Sequence, residues 1–249
     1  MAQPSPPPPA VSLYGDPGAP DISGLWLGTI TSTPQTSPKT REGIGADGRP
    51  PTYWAPWPLP YTPKYQKIFE DRATAAKAGR QPGDNGAKCL PFGLPQMLVS
   101  KVYPDEIIQT PGAVTILVNS TFPIVIWTDG RGHPKDLTPS YNGHSIGHWV
   151  DDTLFVDTVG IIGSTALDVF RNPHSDKLHI RWNIQRVAKD VLHVHVTLYD
   201  DEAFTEPVTT TNIWHRMSGP GWEILDDGSC FENNVGAMPT APIPGFSTF

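Results

Sequence analysis

From residue 178 to 199 apolar and polar side chains alternate almost without a break. Ile180, Trp182, Ile184, Leu192, Val194, Val196 and Leu198 share one face, and His179, Arg181, Asn183, Gln185, His193, His195, Thr197 and Tyr199 share the other. A period of two marks strands buried on one side. Pairing apolar with apolar needs a three-residue loop, Ala188 to Asp190, which sets Asn183 beside His195 and Arg181 beside Thr197. The polar face reads as a solvated exterior, or as the lining of a lumen if a barrel encloses a ligand.

The same pattern predicts strands at 22–31, 96–102, 105–110, 113–119, 122–128, 143–150, 153–159, 208–217 and 221–226, besides those at 178–187 and 191–199. Pro111-Gly112, Asp129-Gly130, Asp151-Asp152 and Gly219-Pro220-Gly221 supply turns between many of them. One helix interrupts, over 62–79: Thr62 suits its N-cap, Pro63 its first turn and Gly79 its stop. Tyr65, Ile68, Phe69, Arg72 and Ala76 give it a modest apolar stripe. About ten antiparallel strands with short connections predict a mainly β fold, a meander closed into a lipocalin-like barrel, with a β-sandwich as the alternative. Residues 1–20 read as a flexible Pro-rich tail and 21–249 as a single domain. Within it, the Pro/Gly-rich stretch 32–60 reads as a covering segment that carries Tyr53, Trp54 and Trp57.

Composition narrows the function. The 249 residues include 29 Pro and 23 Gly, which damage helix interiors and exclude a helical bundle. Eight Trp, seven Tyr and nine Phe are too many for a disordered chain. With 18 Lys and Arg against 25 Asp and Glu, net charge −7, neither nucleic acid nor an anionic membrane is the expected partner. No apolar run approaches the roughly 20 residues that span a bilayer. The N-terminus lacks a signal-peptide pattern and reads as cytoplasmic as written; Ala-Gln-Pro-Ser after the Met also suits a mature periplasmic start left by signal cleavage. Cys89 and Cys230 either pair in an oxidising space or stay as isolated thiols, and neither has zinc-site spacing.

Five of the eight histidines fall between 133 and 179. With Asp151-Asp152 as the turn, Val150 pairs with Thr153, so His148 faces Phe155, Ile146 faces Asp157 and His144 faces Val159. All six of these side chains then share one face, with Asp157 diagonal to both histidines at roughly 7–8 Å. Trp149, Leu154 and Val156 on the other face read as packing, and Ser145 and Gly147 leave that face thin enough for a close neighbour. If the histidine face looks into the barrel, an enclosed imidazole beside a carboxylate is a general acid or base near neutral pH. If it looks outward, the pair is incidental.

A metal is a third reading. His144 and His148 would suit zinc on a helix, but on a strand they stand roughly 13 Å apart. No metal and no organic cofactor is expected, since nucleotide-binding patterns and a nucleophile elbow are also missing from the sequence. The glycine-rich turn Asp129 to Pro134 presents Arg131 and His133, which could grip a carboxylate or phenolate.

The motifs DISGLW (21–26), KCLPFGLP (88–95), IIQTPG (107–112), DGRGHP (129–134), GHSIGHWVDDTLFVDTVG (143–160) and PHSDKLH (173–179) resemble a large family of mostly uncharacterised bacterial proteins, many from soil bacteria and sphingomonads. The likeness covers about residues 20–235. It implies a secreted or periplasmic location for many relatives and assigns no mechanism. A looser likeness is to cofactor-free enzymes acting on lignin-derived aromatic dimers.

These readings converge on a cofactor-independent lyase (decarboxylation or elimination) or isomerase acting on a small aromatic or hydrophobic molecule. His144 or His148 is the expected base, oriented by Asp157, with His174 or His179 as acid. Arg131 and His133 would hold an anionic group, Tyr141 a phenol, and Phe155 with Tyr53, Trp54 and Trp57 the apolar wall. The alternatives are a lipocalin-type carrier of a hydrophobic small molecule and a metal-dependent hydrolase or lyase.

Overall fold

The computed structural model describes residues 15–28, 59–80, 83, 85–99, 104–118, 122–168 and 170–217. Among the described residues, nine strands follow one another along the chain: β1 (Gly24–Gly28), β2 (Asp105–Thr110), β3 (Ala113–Leu117), β4 (Ile124–Trp127), β5 (His144–Val150), β6 (Thr153–Val159), β7 (His179–Ala188), β8 (Val191–Tyr199) and β9 (Val208–Arg216). Each pairs with the next and β1 closes the ring against β9, so the fold is a mainly β, lipocalin-like barrel and not a sandwich. Among the described residues, no helix is long and apolar enough to cross a membrane.

The ring departs from an antiparallel meander at one place, where β4 and β5 run parallel with Ile126 opposite Ser145. Parity demands it. Strands that alternate in direction close only in even numbers, so a ring of nine must contain a parallel neighbour. The 128–143 connection supplies it, being long enough to carry the chain back to the end from which β4 started.

A second departure concerns the strand expected at 96–102. Gln96–Val99 is instead a short helix, α2, with Gln96, Leu98 and Val99 buried. Four apolar-rich residues after Pro95 suit a helical first turn as well as a strand, and periodicity cannot separate the two. The Asn212 side-chain amide of β9 donates to Leu98 O at 3.3 Å, tying this turn to the barrel. The expected strand at 221–226, together with Cys230, Tyr53, Trp54 and Trp57, lies outside the described residues.

Helix α1 (Pro63–Lys77) matches its expected span, with Gly79 beyond its end at φ +75°. Thr62 does not cap it through its side chain; its hydroxyl donates to Glu202 O at 2.9 Å and its N–H to Ala203 O at 2.8 Å. The buried stripe is Tyr65 and Ala75, not Ala76. Tyr61, stacked on Phe204 at 5.3 Å, donates its hydroxyl to Pro173 O at 3.0 Å and so anchors the start of the helix.

The alternation along β5–β8 decides which face is inside. Leu154, Val156, Ile180, Trp182, Ile184, Leu192, Val194, Val196 and Leu198 are almost wholly buried, together with Trp26 and Trp214. These side chains pack the barrel interior. Burying the opposite face, with its charges and imidazoles, would leave polar groups without water, which is far costlier than burying leucine or isoleucine. Three polar side chains on the inner face bond one another. Ser145 Oγ lies 2.8 Å from Thr158 Oγ1, which also accepts from Trp182 Nε1 at 3.0 Å.

Candidate functional site

The Asp151-Asp152 turn sets the register read from the sequence: Val150 opposite Thr153, His148 opposite Phe155, Ile146 opposite Asp157, His144 opposite Val159. Asp151 takes φ +52°, a left-handed conformation that aspartate tolerates and a tight hairpin needs. The next hairpin also keeps its expected register, Asn183 opposite His195 and Arg181 opposite Thr197.

The face carrying His144, His148, Phe155 and Asp157 is nonetheless the outside of the barrel, which corrects the enclosed acid–base site. What makes this exterior more than a surface is a cleft of about 630 Å³ across the outer faces of β5–β8. His148, Phe155, Asp157, Arg181 and His195 line it, with Gly130 and Arg131 of the 128–143 connection at one edge. Four adjacent strands make such a floor roughly 14 Å wide.

Inside the cleft Asp157 pairs with neither His144 nor His148. Its Oδ1 is hydrogen-bonded to His179 Nε2 on the neighbouring strand. Arg181 stands opposite Asp157 in the β6–β7 register, so His179, two residues earlier, is its diagonal neighbour on the same face. The two side chains remain partly open to solvent, at 29% for His179 and 38% for Asp157. The His148 ring stacks on Phe155, centroids 5.8 Å apart and planes 20° off parallel. Arg181 lies over the Tyr199 ring, its guanidinium carbon 5.4 Å from the centroid. His195 Nδ1 is 2.7 Å from Thr211 Oγ1, and burial foremost, then nearby His193, lowers its pKa.

The remaining candidates go elsewhere. His144 turns to His133, Nδ1 to Nδ1 at 2.8 Å, away from Asp157. Arg131 is committed: its Nε and Nη2 donate to the Asp129 carboxylate at 2.9 and 2.5 Å, and its plane covers Trp127 at 3.8 Å. That side-chain hydrogen bond, chiefly, holds the Asp129 carboxyl below its usual range. Tyr141 and His144 line a second, smaller cleft of about 320 Å³ with Phe122 and Trp127. His174 is buried, with Nε2 2.7 Å from Thr165 Oγ1 and Nδ1 2.8 Å from Ser175 O, and burial lowers its pKa. It holds the 160–178 connection in place and does not line the cleft. Cys89 is disulfide-bonded, not a free thiol.

Arg181 and the Asp157–His179 contact are what the sequence reading missed. Both depend on how β6 registers against β7 across the long 160–178 connection, and no turn rule sets that register. Among the described residues, no group of three or more His, Cys, Asp or Glu side chains is arranged to hold a metal ion. Comparison with known protein families, characterised proteins and solved structures returns no match. The chemistry of the site therefore rests on its own geometry. That geometry is an imidazole backed by a carboxylate, beside an exposed aromatic face and a guanidinium.

Proposed function

We propose that the chain is a cofactor-independent lyase or isomerase that moves protons on a small aromatic molecule seated in the outer cleft. The observation that carries this reading is the hydrogen bond that Asp157 Oδ1, which lines the cleft, makes with His179 Nε2 on the neighbouring strand β7. An ionised carboxylate only accepts, so Nε2 carries the proton and Nδ1 keeps the basic lone pair. No described residue hydrogen-bonds that Nδ1. Asp157 then acts as an orienting group: it fixes the tautomer and stabilises the imidazolium formed when Nδ1 takes a proton. His148, stacked on Phe155, supplies an imidazole that lines the cleft itself, and Phe155, 40% exposed, offers an apolar surface to a substrate ring.

The disulfide at Cys89 supports an oxidising location such as the periplasm. A carrier without turnover is the second reading, favoured by the barrel architecture; with the interior packed, its ligand would also sit in the outer cleft.

The test is incubation with one- and two-ring aromatic acids and phenols, with products read by mass spectrometry. Asp157→Asn and His179→Ala should each lower turnover by about 10²–10⁴-fold. Equal turnover by wild type and both variants overturns the acid–base roles, and binding without product in every case favours the carrier.

A further inference from the structure

We infer that the ligand of the outer cleft is an aromatic carboxylate and that Arg181 is the residue that holds its anionic group. The inference rests on the reading of this cleft as the working site and names what it recognises.

Two arginines line the cleft, and only one has donors to give. Arg131 spends its fork on Asp129 and its face on Trp127. Arg181 has no carboxylate partner among the described residues: Asp157, directly opposite it in register, is taken by His179. Its guanidinium carbon lies 5.4 Å from the Tyr199 ring centroid, Arg181 lines the cleft, and among the described residues its side chain donates no hydrogen bond, so its five N–H groups remain to be used. Such a cation–π contact also holds the long side chain in one place, so less freedom is lost when a ligand docks.

Surface arginines are common, but this one is paired with complementary chemistry. An aligned guanidinium takes a carboxylate through two parallel N–H···O bonds. Beside it the His148 and Phe155 rings stack, with Phe155 exposed enough to meet a further ring. A ring bearing a carboxylate meets both features; a neutral ring meets one, and an aliphatic acid the other. Electrostatics agree with the assignment. The chain as a whole carries net charge −7, so an arginine without an acidic partner in a cleft is a local exception. The assignment also replaces Arg131 as the expected anion grip, since an anion there would have to displace Asp129.

The experiment titrates the full chain with benzoate, benzamide and cyclohexanecarboxylate, followed by calorimetry and by the imidazole signals of His148 and His179. Benzoate should bind about ten- to a hundredfold more tightly than benzamide, the value of a charge-assisted pair over a neutral one. It should also bind more tightly than cyclohexanecarboxylate and shift the His148 and His179 signals. Arg181→Gln should abolish the preference for benzoate over benzamide, and Arg181→Lys should restore part of it, with circular dichroism confirming that each variant is folded. Equal affinity for benzoate and benzamide, no binding of benzoate, or a preference that survives Arg181→Gln overturns the anchor. If Asp157→Asn and wild type turn over equally while the benzoate preference persists, the acid–base reading alone fails. If turnover persists while the preference is missing, the anchor alone fails.

Discussion

His133 and His144 share one hydrogen bond, Nδ1 to Nδ1 at 2.8 Å, with their rings tilted by 71°. Such a contact needs one nitrogen protonated and the other not, so it cannot survive with both rings charged. Burial is the main cause lowering the pKa of His144, followed by the charges of His133 and Arg131; Asp129 faces Arg131 and offsets part of its effect. A depressed histidine stabilises the fold above its ordinary value of 6.5 and loses that contribution as pH falls through the folded value. Urea unfolding between pH 7.5 and 5.5 should therefore show wild type losing stability relative to His144→Phe. Parallel pH profiles for the two proteins would mean that folding does not lower the pKa of His144.

Asp168 bends the same profile the other way. It is fully buried, and burial pushes its carboxyl up to about 6 although Asn172 and the Phe170 and Asn172 N–H groups donate to it. A raised carboxyl stabilises the fold below its unfolded value and loses that contribution as pH rises through about 6. The shift from 3.8 to about 6 corresponds to about 3 kcal/mol. Asp168→Asn cannot ionise, so its stability relative to wild type should rise by about 2–3 kcal/mol between pH 4 and pH 8. A pH-independent difference would show that folding leaves the Asp168 carboxyl at its unfolded value.

The parallel seam makes its own prediction. A Cβ on Gly147 would stand 2.8 Å from Ile126 Cγ2 and 3.2 Å from both Leu154 Cδ1 and Phe155 O. Gly147→Ala should cost about 1–3 kcal/mol by overpacking. Ile126→Leu moves the branch away from this contact at constant volume, so the double variant should lose less than the two single losses summed. Strict additivity in thermal melts would place β4 and β5 in some other register.

What the sequence could reveal here follows turn length. Where a short loop joins strands, alternation fixes both register and face. The Asp151-Asp152 hairpin keeps every pair, and the next keeps its pairs from Arg186–Leu192 onward. At that loop end Ala188 pairs with Val191 across a bulge, in place of the expected three-residue loop from Ala188. The face that looks inward is legible too, because Leu154, Ile180 and Val194 belong in a core and Arg181 does not. His148 and Asp157 lie outside because the apolar face of the same strands already fills the barrel and leaves no lumen for them. Pairings across 128–143 and 160–178 stay hidden, because long connections leave register free. That is why the parallel seam, the His133–His144 contact and the Asp157–His179 contact emerge only in three dimensions.

The buried hydroxyl of Thr158 offers the sharpest test of the core. Thr158 is wholly buried, accepts from Trp182 Nε1 at 3.0 Å, and lies 2.8 Å from Ser145 Oγ. Because the indole only donates, Thr158 Oγ1 must accept there, and its own proton is free to reach Ser145. Thr158→Val keeps the shape and strands both neighbours, which should cost about 2–3 kcal/mol. Thr158→Ser keeps the hydroxyl and loses a methyl, which should cost about 1 kcal/mol. Adding Ser145→Ala to Thr158→Val removes one stranded partner, so the double variant should lose less than the two single losses summed. Urea unfolding of wild type, the three single variants and the double variant decides it: a Thr158→Val variant as stable as Thr158→Ser would mean the hydroxyl bridges nothing, leaving only its methyl to matter.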